Sequence, residues 1–243
     1  MKRTHLLLTL CFTCAAYTGF AQEPSPNTLT QAERAQGWEL LWDGKTTNGW
    51  RGSNSTEFPT KGWSIEDGLL VARSEKTEKG SFESDIITRK IFKDFEFSVD
   101  FKLTDGANSG IKYFIKTTAG VGDNIGCEYQ ILDDALHPDA KQGVGGNRTL
   151  GSLYDLIPAA STKPYRKDSF NTARIVVKGS HVTHYLNGIK IVEYDRGTQL
   201  WRALVAYSKY AKVPNFGEAV ETCILLQDHG NMVWFKNIKI RTL

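Results

Sequence analysis

No apolar run in this chain is long enough to cross a membrane, no block of like charge stands out, and cysteine is scarce. The most apolar stretch, Leu6-Leu7-Leu8-Thr9-Leu10-Cys11-Phe12, falls far short of the ~20 residues a spanning helix needs. The formal charge is +3, and Lys2 and Arg3 supply two of the 30 basic residues; the rest stand one above the 27 acidic residues. That leaves no basic field to attract nucleic acid. Of four cysteines, Cys11 and Cys14 sit near the N-terminus, while Cys127 and Cys223 are far apart and outside any CxxC motif. No zinc site is implied by the latter two, and two buried free thiols are the favoured reading over a disulfide. There is no GK[ST] in a strand-then-helix context, no HExxH, no GxSxG, no EF-hand loop and no internal repeat.

What is present is ordinary for a globular protein: 40% hydrophobic and 23% charged residues over 243 positions, which excludes disorder over most of the length. Aromatics at 11% and 22 glycines lean toward strands and tight turns. A chain of this size buries enough surface to fold without a disulfide scaffold.

The N-terminus reads as an export signal. Met1-Lys2-Arg3 is a basic start, Leu6–Phe12 an apolar middle, and Gly19-Phe20-Ala21 offers small residues for cleavage after Ala21. Residues 1–21 are therefore expected to be a signal peptide, placing the mature protein in the periplasm or outside the cell. An alternative makes Cys14 a lipid-anchoring site. Residues 22–35 are polar and proline-bearing, a linker ending in about one helical turn near Leu29–Glu33. Residues 36–243 form the expected domain.

Strand signals dominate that domain. Phe95, Phe97, Val99, Phe101 and Leu103 alternate with Glu96, Ser98, Asp100 and Lys102, the period of a half-buried strand. Weaker signals sit at 38–42, 62–65, 69–73, 84–91, 110–116, 126–132, 173–178, 181–186, 189–194, 221–227 and 232–241. Asp67-Gly68 and Asn187-Gly188 suit type I′ hairpin turns. Residues 198–207 read as one short helix. Many short strands without alternating helices predict an all-β fold, an antiparallel β-sandwich of jelly-roll type. The stretch 133–171 is long, polar and glycine-rich, and a loop of that length in a compact domain is usually functional.

Two strand ends carry the chemistry. Alternation places Glu128, Gln130 and Leu132 on one face of their strand and Cys127, Tyr129 and Ile131 on the other. Glu128 and Gln130 lead into Asp133, Asp134, His137 and the long loop. In Leu225–Asn231, Gln227 and His229 share a face and Gly230 permits a sharp exit. Histidine suits proton transfer near neutral pH. The glycines of 143–151 would let backbone approach a sugar closely, whereas His181, His184 and Asn187 read as surface-facing hairpin residues.

Gly37–Lys45, Asn108–Ile111, Glu128–Asp134 with His137-Pro138, and Gly151–Leu156 resemble the 3-keto-disaccharide hydrolase domain family. So do His184–Gly188, Ser208-Lys209-Tyr210, and Gln227–Gly230 with Val233–Ile238, in order from about residue 36 to the C-terminus. The resemblance implies an exported bacterial protein with a concanavalin-like jelly roll. It also implies cleavage of 3-keto-glycosides by a lyase step followed by hydration. Such chemistry needs a base at C2, an acid for the leaving oxygen and an electrophile near the keto oxygen. The expected proton-transfer residues are His229, His137, Glu128 and Asp133, with His229 or His137 as base and Glu128 as its partner or as a metal ligand. A divalent cation is an open option. Asn108, Gln130, Asn147, Tyr154, Lys209 and Gln227 are expected to position a carbohydrate substrate. The competing expectation is a non-catalytic carbohydrate-binding module. The ionisable set favours an enzyme. Oligomeric state is not legible.

Overall fold

The computed structural model describes residues 25–73, 84–115, 117–118, 121–122 and 124–243. The expected signal peptide and its Cys14 alternative lie outside these residues. Chain order runs α1 (Gln31–Ala35), β1 (Glu39–Leu40), β2 (Trp50–Gly52), β3 (Trp63–Glu66), β4 (Leu69–Ala72), β5 (Ile86–Thr88) and β6 (Phe95–Leu103). It continues with β7 (Asn108–Tyr113), β8 (Thr117–Thr118), β9 (Val121–Gly122), β10 (Cys127–Leu132) and a 3₁₀ turn at Pro138–Lys141. Last come β11 (Asn171–Lys178), β12 (His181–Leu186), β13 (Ile189–Asp195), α2 (Gln199–Ala206), β14 (Leu225–Leu226) and β15 (Val233–Thr242).

Two antiparallel sheets form the jelly-roll sandwich. The larger runs β13-β12-β11-β6-β15-β4-β3 with β1 added on β15, and the smaller runs β10-β7-β14-β5-β2. The core between them is apolar: Phe97, Val99, Phe101 and Phe235 from the larger sheet cluster with Ile111, Tyr113, Ile131 and Leu226 from the smaller. Burying these side chains is the main favourable term in folding, worth about 1.5–3 kcal/mol for each large one.

The other face of β6 departs from simple alternation. Glu96 is buried as well, because Arg174 of β11 and Arg241 of β15 reach its carboxylate at 2.6 Å and 2.5 Å. A buried acid is tolerated when paired this way. The hairpin signals hold: Asp67 and Gly68 have φ of 49° and 80°, Asn187 and Gly188 of 47° and 83°. Thr198 caps α2 by accepting from Trp201 N.

Several expectations need correcting. Trp50–Gly52 pairs with β5 as an edge strand without a period-two signal. His184 is not at the surface but fully buried. Its Nδ1 donates to Gly151 O at 3.0 Å and its Nε2 accepts from Tyr113 Oη at 2.5 Å, so both ring nitrogens are satisfied in the core. Burial pulls its pKa down to about 4. Asn187 spends its side chain on the turn, accepting from Thr172 N and donating to Pro164 O. The stretch expected as a linker is docked from Asn27 onward. Asn27 and Asn237 exchange hydrogen bonds between backbone N–H and side-chain oxygen at 2.7 and 2.8 Å, and Leu29 is buried. Thr30 and Glu33 form a capping box at the start of α1. Cys127 and Cys223 are both buried and unpaired by disulfide.

Candidate active site

β10 lies antiparallel to β7 with Glu128 opposite Lys112 and Gln130 opposite Gly110. Period two sends Ser109, Ile111 and Tyr113, with Cys127, Tyr129 and Ile131, into the core, where all are fully buried. Asn108, Lys112, Glu128 and Gln130 are left on the opposite face of the smaller sheet. β14 joins β7 on its other side, and Gln227 N donates to Gly110 O at 2.9 Å as the chain leaves the sheet. Gln227 and His229 thereby reach the same face.

The loop after β10 walls this face. It covers the free edge of β10: Gly151 N donates to Gln130 O, Gln130 N to Ser152 O and Tyr154 N to Glu128 O. Tyr154 is thus set beside Glu128. Lys209, Tyr210 and Val213 descend from the segment after α2, and Asn124 and Ile125 close the rim. The result is a cleft of about 350 Å³. A larger apolar cavity of about 600 Å³ between α2 and β13 carries Glu193, Tyr194 and Asp195 as ionisable lining; His181 engages the two acids, and Tyr194 is hydrogen-bonded to Tyr113.

Glu128 is held at close quarters. A methyl group at Gly110 would sit 2.9 Å from Glu128 Cδ and nearer still to Oε1, so only glycine leaves room for this carboxyl. The Gln130 amide nitrogen donates to Ser109 O at 3.0 Å and to Glu128 Oε1 at 3.3 Å. Burial pushes the Glu128 pKa above its ordinary value, with Lys112 and then Lys209 opposing. Desolvation pulls Lys209 down although part of its side chain stays exposed, and its ammonium lies 4.0 Å from the Tyr154 ring centre.

His229 lines the cleft, and burial lowers its pKa, with His137 adding to the effect. The His137 ring stands edge-on, 6.0 Å away between centroids. His137 Nδ1 accepts from Asp139 N at 3.2 Å, which leaves the proton of the neutral ring on Nε2. Asp139 also accepts from Tyr154 Oη at 2.7 Å and pairs with Arg148 at 3.0 Å. Arg148 pairs in turn with Asp155, which accepts from Lys209 N at 2.7 Å. One partly buried network therefore fixes Tyr154 and Lys209 relative to each other.

The structure brings Asn108, Glu128, Gln130, Tyr154, Lys209, Gln227 and His229 together in the cleft. It leaves His137 outside the lining, with its ring edge-on to that of His229. Asp133 and Asn147 are not brought there. Asp133 accepts from Gly106 N and Ala135 N with its two oxygens, and Asn147 accepts from Val144 N, so both hold turns. Gly143 and Gly151 likewise make room for Asn147 and Ile191, not for a ligand. Sequence reasoning passes over Lys112, Asn124 and Tyr210. Lys112 interrupts an apolar strand at the same parity as Asn108, but its place opposite Glu128 needs the register. Among the described residues, no three His, Cys, Asp or Glu side chains gather to hold a metal ion.

Residues 37–241 match the model of the 3-keto-alpha-glucoside-1,2-lyase-like domain. A curated relative from Bacteroides thetaiotaomicron, described as a 3-keto-disaccharide hydrolase, is 36% identical over 86% of this chain and 79% of its own length. A crystal structure of a Parabacteroides distasonis protein assigned to the glycosyl hydrolases covers 90% of this chain and 100% of that one, with a TM-score of 0.78 and 29% identity. A second structure from the same organism, also assigned to the glycosyl hydrolases, covers 81% and 100%, with a TM-score of 0.57 and 26% identity. The chain belongs to the 3-keto-alpha-glucoside-1,2-lyase-like domain family.

Proposed function

We propose that this family member cleaves 3-keto-glycosides outside the cytoplasm, by elimination across C1–C2 followed by addition of water. The observation that carries the reading is one cleft holding a buried carboxyl, two lysines and a histidine: Glu128, Lys112, Lys209 and His229. The relative's description as a 3-keto-disaccharide hydrolase supports the substrate class, and the basic-then-apolar N-terminus supports export.

A ketone at C3 acidifies the hydrogen on C2. His229, kept neutral by burial, takes that proton and becomes imidazolium. The C2–H electron pair becomes an enolate, whose oxygen the Lys112 or Lys209 ammonium stabilises. The enolate then expels the glycosidic oxygen from C1, and Glu128, whose raised pKa favours its acid form, protonates the leaving group. Water adds at C1, C2 regains a proton, and the sum is hydrolysis. Gln130, Gln227 and Asn108 hold the ring, and Tyr154 and Tyr210 wall it. His137, edge-on to His229, helps keep it neutral.

Incubating the protein with a 3-keto-glucoside tests this. Aglycone release with a transient enone absorbance is expected, while the unoxidised glucoside survives. Tight sugar binding without turnover of the ketone would instead assign the cleft to a carbohydrate-binding module.

A further inference from the structure

The cleft has a neighbour. Ile125 and Val213, which stand at its rim, also line a second cavity of about 430 Å³, whose other apolar walls are Phe114, Pro214, Phe216 and Ala219. That volume lies in the ~300–1,000 Å³ range of small-molecule sites. Lys112, Glu128, Lys209 and His229 do not line it, and its charged residues are Lys212 and Glu218, one of each sign. The larger cavity against α2 shares no lining residue with the cleft.

This second pocket is preformed. Arg196 Cζ lies 3.4 Å from the centre of the Phe114 ring, and Arg196 Nη1 donates to Gly217 O and Ala219 O at 2.6 and 2.9 Å. One side chain thereby ties two walls together. Phe216 stacks on Tyr210 with ring centroids 3.9 Å apart, and Tyr210 also lines the cleft. Phe114 stands at φ 53°, left-handed backbone that a bulky side chain rarely adopts. Strain of that kind persists where neighbours hold it, and it collects at binding sites.

Register fixes which end of the cleft the pocket adjoins. On the cleft face β7 presents Asn108, Gly110 and Lys112 in turn, opposite Leu132, Gln130 and Glu128 of β10. Gln227 N meets Gly110 O, and by Asn231 the chain has reached Asn108 N, so His229 stands toward the Asn108 end. The Glu128 carboxyl lies over Gly110. Phe114, after Lys112, and Ile125, before Glu128, mark the other end. The order along the sheet is therefore base, acid, apolar pocket. In the elimination proposed above, C2 meets His229 and the C1–O bond meets Glu128, so the group that departs on that oxygen extends toward Ile125 and Val213.

We infer that this pocket is the leaving-group subsite, and that the preferred substrates are 3-keto-glycosides of a neutral apolar alcohol or phenol rather than the disaccharide named for the relative. The inference rests on the reaction proposed above and deepens it. The C1–O bond breaks with its electron pair on oxygen, Glu128 supplies the proton, and the aglycone departs as a neutral alcohol or phenol. A second sugar in its place would take hydroxyls out of water against walls that are mostly carbon, which is costly without partners. A hydrocarbon group gains from the same burial, about fourfold in affinity for each methylene.

A homologous series keeps the leaving oxygen nearly constant while the hydrocarbon grows. Methyl, butyl and hexyl 3-keto-glucosides are compared by kcat/KM, and the unoxidised glucosides by equilibrium binding, in the wild type, Pro214→Asp and Ala219→Phe. Pro214 and Ala219 line the pocket and not the cleft. In the wild type both quantities should rise about fourfold for each methylene that enters the pocket, roughly tenfold or more from methyl to hexyl. A 3-keto-disaccharide should fall below the hexyl glycoside in kcat/KM. Either substitution should remove most of the rise and leave the methyl compound unchanged. If Ala219→Phe fails to fold, Pro214→Asp, at an exposed position, carries the test. Equal values across the series while methyl 3-keto-glucoside is turned over, or a rise that survives both substitutions, would overturn the inference and leave the reaction standing. A rise in binding that the substitutions abolish, with no turnover of any 3-keto-glucoside, would uphold the apolar preference of the pocket and sink the catalytic reading. Neither binding nor turnover in the wild type would overturn both.

Discussion

In the proposed reaction Glu128 has two requirements to meet: it must be buried enough to hold a proton and close enough to lysine to release one. Gly110 makes the first possible, since any Cβ there would overlap the carboxyl. Gly110→Ala is therefore expected to push Glu128 aside without breaking the strand, because the obstructing atoms belong to a side chain that can rotate. Turnover of a 3-keto-glucoside should fall about 100-fold, the scale of a misplacement near 1 Å. The circular dichroism spectrum should stay that of the parent. Parental turnover would show that Glu128 is not where the chemistry needs it. His229 makes a different demand. As a base it must be unprotonated, and burial holds its pKa below the ordinary histidine value. Activity should be lost as pH falls through that lowered pKa, so the acid limb of kcat/KM lies below about 6.5. His229→Ala should lower kcat by about 10²–10⁴-fold and abolish that limb. His137→Ala, which removes only a neighbour, should cost less and shift the limb upward. An acid limb unchanged in His229→Ala would remove His229 from the role of base.

At the scale of elements, the smaller sheet delivers its residues by parity and the turn after β14 delivers His229 by hydrogen bonding. Asp228 is buried in that turn. It accepts from Gly230 N at 3.0 Å and from Ser84 Oγ, and its own N–H donates to Asp85 Oδ1 at 2.9 Å. Asp228→Ala should lower kcat by roughly 10–100-fold and destabilise the fold by about 1–3 kcal/mol, since it leaves partners unsatisfied. The acid limb should persist, because the base itself is untouched. Its disappearance would assign to Asp228 a direct part in proton transfer. Parity was also what made the site legible in sequence: it grouped Glu128 with Gln130 and Gln227 with His229, and all four line the cleft. Parity does not say which neighbour faces a residue or what covers a face. That is why Lys112 opposite Glu128 is not legible in sequence, and why His184, on a hairpin that starts at the half-buried His181, reads as a surface residue. Asp133 and Asn147 show the complementary failure. A polar side chain next to a functional strand is as useful for closing a turn as for touching a ligand, and only the hydrogen bonds distinguish the two. β6 is readable because its apolar period runs through five alternate residues, Phe95 to Leu103. β2, three residues at an edge, has no period to read.

Across the whole molecule, the two sheets treat buried acid differently. The larger sheet brackets Glu96 with Arg174 and Arg241. The smaller one buries Asp85, Glu128 and Asp228 together near the cleft, and at Asp85 the attraction of Lys112 is opposed by the other two carboxylates. Burial, as the largest cause, raises the Asp85 pKa to about 6. The folded form therefore binds a proton more tightly than the unfolded chain, whose aspartate titrates near 3.9. Stability from this group is greatest below the unfolded value, falls as pH rises between the two, and is flat above about 6. Charged Asp85 thus costs up to about 3 kcal/mol at pH 7. Asp85→Asn removes the charge and keeps an oxygen to accept from Asp228 N. At pH 7 the variant should melt several degrees above the wild type, since about 2–4 °C accompanies each kcal/mol at this size. Below about pH 4 the two should melt together, because the wild-type carboxyl is then neutral. His184, whose folded pKa is lowered to about 4, weakens both proteins equally as pH falls below 6.5, so it drops out of the comparison. A melting difference that is absent at pH 7, or that persists undiminished below pH 4, would mean that the charge on Asp85 is not what the smaller sheet is carrying.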